Sequence, residues 1–352
     1  MTEKELSFFR KMLEWDSTSG KEREFSEWLA HELSGYTRLE RFEVGDGTQN
    51  LLACWGEPRV VFCTHMDTVP PYIAPQRVCA IGSTVPSPQS PDDVIFGRGA
   101  CDAKGQIAAM LSACMALESD GRRGFGLLLL SGEETGSWGA KAFAKTGFRA
   151  PYLIVGEPTE NKLVSAAKGT KSYDLQFKGE AFHSGYPEYG VSAVDIFNEF
   201  CNILKAKDFG EDPLLGKTTW NIGLLESRNP QNILSESLTC RLYFRTTFSS
   251  DAAVQEFMDG KLMDGRLKVT ARGGDAPQKY MVPEGFECAP VAFGSDAPHL
   301  SNFEHKIICG PGSIRHAHRD DEQISLGEIE AAVAVYVKLY KKLNWELFER
   351  LR

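Results

Sequence analysis

The chain has 352 residues, a formal net charge of −9 and 42% hydrophobic residues. One hydrophobic core rarely supports this length, so we expect two domains, and the composition is that of an ordinary globular protein rather than a disordered or fibrous one. The acidic balance argues against nucleic acid as a partner, because binding a phosphate backbone requires a basic surface.

The first predicted element is a surface helix within Met1–Trp15, where Leu6, Phe9 and Leu13 recur at helical spacing. This segment is too charged to be a secretory signal. No apolar run in the chain approaches the ~20 residues needed to cross a bilayer. We therefore expect no membrane as a partner.

Four short apolar runs predict buried, mostly parallel strands, because each is strand-sized and is followed by polar or Gly-rich residues. The runs are Val60–Cys63, Leu127–Leu130, Tyr152–Val155 and Ile307–Cys309. Helical patterns lie between them, at Gly105–Ser119 and Ser137–Lys145. This alternation predicts an α/β fold with helices on both faces of a sheet.

The pattern changes between about Lys171 and Arg272, where alternating segments predict strands with one exposed face. These segments are Lys171–Lys178, Thr218–Leu225, Ser237–Thr246 and Arg266–Arg272. Helices are predicted to begin near Ser192 and Ser250, which are good N-cap residues. The resulting β-α-β-β-α-β order is that of a ferredoxin-like α+β unit. We predict that residues 171–275 are inserted into a discontinuous domain made of residues 1–170 and 276–352.

The nine cysteines are odd in number and scattered, and most lie in apolar surroundings. A disulfide framework would instead show an even number of cysteines in a short secreted chain. We predict free, buried thiols and a cytoplasmic location.

Side chains that bind metals or transfer protons follow three of the buried runs. Thr64-His65-Met66-Asp67 follows the first, Ser131-Gly132-Glu133-Glu134 the second and Gly156-Glu157-Pro158 the third. Ligands of open α/β sheets bind beyond the carboxyl ends of the strands, so we expect these residues to converge. Carboxylates and imidazoles without thiolates are typical of a catalytic zinc site, and they also suit cobalt or manganese. The pattern predicts metal-dependent hydrolysis.

Two other loops add candidate ligands. The Gly-rich segment Gly97–Gly105 contains Asp102, which by itself could equally be a turn or cap residue. The loop after the fourth run contains both His316 and His318, and the residues alone do not choose between them. Taken singly, Glu133 and Glu134 could be an acidic pair at a helix start. The combination of candidates at successive strand ends favours a metal site.

These segments together resemble the M20 family of metallopeptidases and deacylases over nearly the whole chain. The resemblance rests on His65-Met66-Asp67, Gly97–Gly105, Glu133-Glu134, Gly156-Glu157-Pro158 and His318. Within the family, Gly310-Pro311-Gly312-Ser313 is similar to the acetylornithine deacetylases and their acetylcitrulline, acetyl-lysine and succinyl-diaminopimelate relatives. The resemblance implies hydrolysis of an N-acyl amino acid by two zinc ions, in arginine biosynthesis.

The resemblance also implies the roles of individual residues. One metal ion would be bound by His65, Asp102 and Glu157, and the other by Asp102, Glu134 and His318. His318 is preferred to His316 because its spacing to Asp321-Glu322 matches the family. Glu133 is expected to be the general base, and Asp67 is expected to accept a hydrogen bond from His65 and so orient it.

The inserted domain resembles the lid of the family. Gly179–Ser184 is similar to a lid motif whose histidine, here His183, is expected to donate to the oxyanion. Asn232 and Arg245 resemble positions that hold the substrate, although relatives often carry an acidic residue where this chain has Tyr243. Ser295-Asp296-Ala297 resembles a substrate-side loop. Relatives commonly dimerise through the lid, so we expect a homodimer.

Three other functions compete with deacylation. A metallo-dipeptidase or aminopeptidase would share most ligands and cleave peptides with a free amine. A non-catalytic binding protein would have lost a ligand or the base, and none is missing. A nucleotide-binding oxidoreductase would carry G-x-G-x-x-G after the first strand, which this chain lacks. The peptidase is the stronger alternative, and the acyl group and amino acid stay open.

Overall fold

The computed structural model describes residues 1–45, 47–78, 93–260 and 263–350, except for the side chains of residues 345–350. The chain divides into two compact units. The first unit comprises Met1–Ser165, Tyr280–Ala289 and Ser295–Arg352, and the second comprises Ala166–Lys279 and Pro290–Gly294. The predicted insertion over residues 171–275 lies within the second unit.

The helices and strands are numbered in chain order. The helices are α1 Glu3–Leu13, α2 Glu22–Ser34, α3 Lys104–Ser119, α4 Trp138–Phe143, α5 Ala193–Ala206, α6 Asp251–Asp259 and α7 Leu326–Arg350. The first nine strands are β1 Arg38–Gly45, β2 Thr48–Trp55, β3 Val60–His65, β4 Gln76–Val78, β5 Val94–Phe96, β6 Phe125–Leu130, β7 Ala150–Val155, β8 Leu163–Ala167 and β9 Gly169–Lys178. The others are β10 Glu211–Asp212, β11 Gly216–Lys217, β12 Thr219–Glu226, β13 Ser237–Thr246, β14 Leu267–Gly273, β15 Gln278–Lys279, β16 Cys288–Val291, β17 Phe303–Ile308 and β18 Gln323–Ser325.

The first unit is built on a six-stranded sheet in the order β1-β2-β6-β3-β7-β17. The four predicted buried runs are the neighbouring strands β6, β3, β7 and β17, which pair in parallel. Strands β1 and β2 pair antiparallel with their neighbours, so the sheet is mixed. Because parallel neighbours end at the same edge, the segments after β3, β6 and β7 are brought side by side.

Helix α3 anchors the Gly-rich loop that precedes it. The helix packs against α1, α7, β3 and β6, and most of its side chains are buried. A Cβ atom at Gly105 would lie 2.2 Å from the carbonyl oxygen of Ala100, so only glycine lets the loop fold back this closely onto the helix. The loop residue Asp102 is therefore tied to a rigid, buried element.

The second unit contains a four-stranded antiparallel sheet in the order β12-β13-β9-β14. Helices α5 and α6 contribute to one apolar core with it, and the elements follow a β-α-β-β-α-β order along the chain. Ser192 caps α5 by accepting the N–H of Val194 at 3.2 Å. Ser250 precedes α6 but does not cap it, because its hydroxyl accepts the N–H of Thr247.

Eight cysteines lie in the described part of the chain, and all eight are free. Six of them are buried, Cys201 is half-buried and Cys288 is exposed, so the prediction of buried thiols is wrong for these last two. Cys79 lies outside the described residues.

Among the described residues, no helix is both long enough and apolar enough to span a membrane.

Candidate metal centre

Asp102 lies at the centre of a cluster formed by the loops beyond the sheet edge. One of its carboxylate oxygens is 3.0 Å from His65 Nε2, and the other is 3.4 Å from His318 Nε2. His318 Nε2 is also 3.0 Å from Glu134 Oε1. Ligand atoms of His65, Asp102 and Glu134 all lie within 4.8 Å of one another, close enough to share a metal ion.

The structure places in different surroundings the two histidines between which the residues alone did not choose and of which the family resemblance preferred His318. His318 contacts Asp102 and Glu134, whereas Nδ1 of His316 lies 3.4 Å from the side-chain nitrogen of Gln323. His318 adopts a backbone φ of 64°, a left-handed conformation uncommon for a residue other than glycine. Such conformations are often found at functional sites.

Glu157 follows β7 and is buried, with 4% of its surface exposed. Its Oε1 atom has no hydrogen-bond partner among the described residues. Burial raises the pKa of Glu157 well above its usual value, and the negative charges of Asp102 and Glu133 raise it further. A buried carboxylate oxygen without a partner is costly unless a cation or a proton neutralises it.

Asp67 supports both the histidine and the turn that follows β6. His65 Nδ1 lies 2.9 Å from the carbonyl oxygen of Asp67 and 3.5 Å from its carboxylate, so the predicted carboxylate bond is the longer contact. The carboxylate instead accepts the N–H groups of Glu133 and Glu134, at 3.0 and 3.1 Å. It also accepts the hydroxyl of Ser19 at 2.9 Å. Burial would raise the pKa of Asp67, but the contact with His65 lowers it, and the hydrogen bonds from the Glu133 N–H and the Ser19 hydroxyl lower it further.

Glu133 lies on the same turn as Glu134, next to the carboxylate cluster. Burial raises its pKa well above the usual value, and the charges of Asp296, Glu134 and Asp102 add to the rise. A carboxyl group that holds its proton more readily than usual suits a residue that must both accept and donate a proton.

The turn that carries Glu133 is also held by Trp138, which the sequence did not single out. A Cβ atom at Gly132 would lie 3.2 Å from the Trp138 ring, so the indole packs closely on this glycine. Lys141 donates to the Gly136 carbonyl at 2.7 Å and lies 5.4 Å from the Trp138 ring centroid. Gly132 and Gly136 have backbone φ values of 69° and 125°, which favour glycine at both positions.

Glu322 and Arg98 form a buried ion pair that fixes the loop carrying Asp102. Oε1 of Glu322 accepts the N–H groups of Gly99, Cys101 and Asp102 at 3.0, 3.1 and 3.0 Å. Its Oε2 accepts from Arg98 Nη1 at 2.6 Å. In the sequence, Glu322 served only to recognise the spacing that follows His318. Its role was not predictable, because it depends on contacts with a loop 220 residues earlier in the chain.

Asp296 is a further buried acid beside the cluster. Its Oδ1 atom has no hydrogen-bond partner among the described residues. Burial raises the pKa of Asp296 to about 6, and the charge of Asp67 contributes to the rise. The segment Ser295-Asp296-Ala297 was predicted only as a substrate-side loop, and nothing in its sequence indicated that this carboxyl would be buried.

The residues present fit a divalent metal. Five carboxyl groups and two imidazoles from several distant segments of the chain contribute, namely Asp102, Glu133, Glu134, Glu157, Asp296, His65 and His318. Two buried carboxyl oxygens lack a partner, and three carboxyl groups have raised pKa values. Divalent cations would neutralise this charge, and oxygen and imidazole donors suit zinc, cobalt or manganese.

The predicted substrate residues lie in the second unit. His183 and Asn232 are neighbours there, since His183 forms a β-bridge with Ile233 and the N–H of Ser184 donates to the Asn232 carbonyl at 2.9 Å. Nδ1 of His183 accepts the N–H of Gly185 at 3.1 Å. Arg245 lies on β13 with its guanidinium 5.0 Å from the ring centroid of Tyr243, a cation–π contact.

The ion pair between Glu322 and Arg98 yields a testable prediction. Glu322→Gln should weaken metal binding by about 10- to 100-fold, as is typical when a residue supporting the ligands is lost. The Glu322 carboxylate accepts from Arg98 and from three backbone N–H groups, whereas a glutamine amide has no negative charge and only one acceptor oxygen. Metal affinity is measured by competition with a chromophoric chelator.

The matched control for this prediction is Asp321→Asn. Asp321 is adjacent in sequence, but it is exposed and paired with Arg319. Equal metal affinities in the Glu322→Gln and wild-type proteins would show that Glu322 does not position Asp102.

The comparisons with known proteins identify the family of this chain. Peptidase family M20/M25/M40 matches residues 61–342. A peptidase M20 domain-containing protein of Schizosaccharomyces pombe is 32% identical over 349 residues, covering 95% of this chain and 83% of that protein. An Aspergillus flavus protein named "Probable carboxypeptidase" is 31% identical over 374 residues, covering 95% of this chain and 86% of that protein.

Two solved structures share the fold. A tripeptidase from Staphylococcus aureus has a TM-score of 0.76 at 19% identity, covering 95% of this chain and 96% of that one. An M20 family metallo-carboxypeptidase from Sulfolobus solfataricus has a TM-score of 0.70 at 18% identity, covering 97% and 99%. With its carboxylate and histidine cluster and a family match over most of its length, the chain belongs to peptidase family M20/M25/M40 and is a metal-dependent hydrolase.

Proposed function

We propose that this protein hydrolyses the amide bond between an acyl group and the nitrogen of a small amino acid that has a free carboxylate. N-acetyl- or N-succinyl-ornithine and the corresponding citrulline derivatives are the first candidates, which would place the enzyme in arginine biosynthesis. The observation that carries the proposal is the position of Glu133, a carboxyl of raised pKa on the turn next to the cluster around Asp102.

Two zinc ions are the proposed cofactors, with cobalt or manganese as substitutes. His65, Asp102 and Glu157 would hold one ion, and Asp102, Glu134 and His318 the other. In support, the two oxygens of Asp102 face different histidines, and Glu157 keeps a buried oxygen without a partner. When bound, such ions polarise the carbonyl and lower the pKa of water.

Glu133 is the proposed general base and acid. Its carboxylate would take a proton from the attacking water and then deliver the proton to the leaving nitrogen. Asp67 helps this transfer by holding the N–H groups of Glu133 and Glu134, which restricts the turn. The raised pKa of Glu133 lowers the cost of carrying the proton between the two steps.

His183 is the proposed donor to the oxyanion. Because Nδ1 accepts the N–H of Gly185, the neutral ring carries its proton on Nε2, which is then available to donate. Arg245 is the proposed partner of the substrate carboxylate, and Asn232 is proposed to contact the substrate beside His183. A guanidinium suits a carboxylate because its N–H groups can pair with both oxygens.

A peptidase is the second candidate function, and the relatives support it about as well. The Aspergillus flavus relative is named a probable carboxypeptidase, and the solved structures include a tripeptidase and a metallo-carboxypeptidase. A carboxypeptidase and an N-acyl amino acid deacylase both release an amino acid with a free carboxylate. They differ in the group that is bonded to the nitrogen of that amino acid, which is a peptide for a carboxypeptidase and a simple acyl group for a deacylase.

A substrate panel separates the two candidates. We expect the zinc- or cobalt-loaded enzyme to release amine from N-acetyl-L-ornithine faster than from dipeptides and tripeptides, with kcat/KM as the measure. The panel includes N-succinyl and N-formyl derivatives, and chelator-treated enzyme is the control. A higher kcat/KM for peptides would replace deacylation with the peptidase function.

Glu133→Gln should keep its metal but lose kcat by about 10²- to 10⁴-fold, the usual contribution of a general base. Elemental analysis and steady-state rates are measured on the same preparations. Glu304→Gln, which changes an exposed glutamate on β17, is the matched control. A near-normal rate for Glu133→Gln would exclude Glu133 as the proton carrier.

We also propose a homodimer formed through the second unit. Strand β12 is an edge strand, and its Leu224 and Leu225 are 71% and 55% exposed. Exposed apolar residues on an edge strand favour pairing with another chain. Light scattering should give twice the 39.0 kDa mass of one chain, and Leu224→Asp should convert the dimer to a monomer. A wild-type protein of single-chain mass would refute the dimer.

A further inference from the structure

The turn that carries Glu133 is a closed loop over residues 131–139. Backbone hydrogen bonds join its two arms in nested pairs. The N–H of Gly139 donates to the Ser131 carbonyl at 2.8 Å, and nearer the tip the N–H of Ser137 donates to the Glu133 carbonyl at 3.1 Å. The position of the tip therefore depends on the neck of the loop, which is the pair formed by Ser131 and Gly139.

Asn50 joins the two sides of this neck through its side chain. The residue is fully buried and lies on β2, which neighbours β6 in the sheet. Its Oδ1 accepts the N–H of Ser131 at 3.1 Å, and its Nδ2 donates to the Gly139 carbonyl at 2.9 Å. Both the oxygen and the nitrogen of the buried amide thus have a partner, and the two groups they bind would otherwise be buried without one.

The neck leaves no room for movement between these groups. A Cβ atom at Gly139 would lie 2.4 Å from the Ser131 carbonyl oxygen and 2.5 Å from Asn50 Oδ1, so only glycine fits. The Ser131 hydroxyl also donates to the carbonyl of Gln49, the residue before Asn50, at 2.9 Å. The neck is therefore fixed to the neighbouring strand as well as by the loop's own bonds.

We propose that Asn50 is a positioning residue that sets the place of Glu133 by holding the neck of the loop. Glu133 follows Ser131 by two residues, so a shift at Ser131 moves the carboxyl relative to the cluster around Asp102. Misplacing a reacting group by about 1 Å can lower a rate by about 10²-fold. Asp67 holds the same loop at the N–H of Glu133, so the neck and the tip are fixed by separate residues. The inference rests on the proposed function, since it takes Glu133 to be the proton carrier.

Asn50→Ala removes both side-chain bonds at the neck and is compared with the wild type at saturating zinc. We expect kcat on the best substrate of the panel to fall by about 10- to 100-fold while KM changes little, because the loop positions the base rather than the substrate. Hydrogen–deuterium exchange of the zinc-loaded protein should become faster in residues 131–139. Gly139→Ala, which forces the neck apart and keeps Asn50, should give the same pattern, and it serves as the test if Asn50→Ala does not fold.

Asn302→Ala is the matched control. Asn302 is also a buried asparagine, and its Nδ2 donates to the carbonyls of Phe143 and Phe148, at 3.3 and 3.0 Å. These bonds lie at the end of α4 that is farther from the neck. Asn302→Ala should lower Tm as Asn50→Ala does but leave kcat unchanged. An equal fall in kcat would attribute the loss to general destabilisation and overturn the proposal.

Adding Asn50→Ala to Glu133→Gln tests whether Asn50 acts through Glu133. We expect little further loss of the residual rate, because residues that act as a unit are not additive. An unchanged kcat in Asn50→Ala, or a loss as large in the Glu133→Gln protein as in the wild type, would overturn the proposal. A preference for peptides would refute the proposed deacylation alone, since the same comparison on the best peptide still tests Asn50.

Discussion

The structure depends on gathering several carboxyl groups into one buried place. Four carboxyl groups lie close enough for their charges to affect one another, namely Asp102, Glu133, Glu157 and Asp296. Burial opposes the charged form of each, and the pKa values of Glu133, Glu157 and Asp296 are raised above their usual values. Hydrogen bonds from His318 and His65 hold the pKa of Asp102 well below its usual value. Bound divalent cations would neutralise this concentration of like charge.

The loops around the cluster are held by backbone N–H groups rather than by packing alone. Glu322 collects three N–H groups from the loop of Asp102, and Asp67 collects two from the turn of Glu133. Both acceptors are themselves carboxylates, so each loop is fixed by strong, charge-assisted bonds. The geometry of the centre is therefore set before any ligand binds.

The second unit separates apolar and charged residues on the two faces of its sheet. Its sheet turns apolar residues such as Phe244 to the core and leaves Arg245 and Tyr243 on the other face. On that face Asp174 pairs with both Arg241 and Arg272, while the Arg245 guanidinium lies 5.0 Å from the ring centroid of Tyr243.

The sequence by itself determined the four parallel strands of the main sheet and the ligand candidates, because burial on both faces leaves a pure apolar run and parallel strands end in loops at one edge. It did not indicate the antiparallel strands β1 and β2 of the same sheet. This reasoning predicted the strands at Val60–Cys63 and Leu127–Leu130, and it identified His65 and Glu134, which follow them, as candidate ligands. Only the tertiary structure decided that His318 contacts both Asp102 and Glu134, that Glu322 pairs with Arg98, and that Asp296 is buried. These contacts join residues that are far apart in the chain, and local pattern carries no information about which distant loops meet.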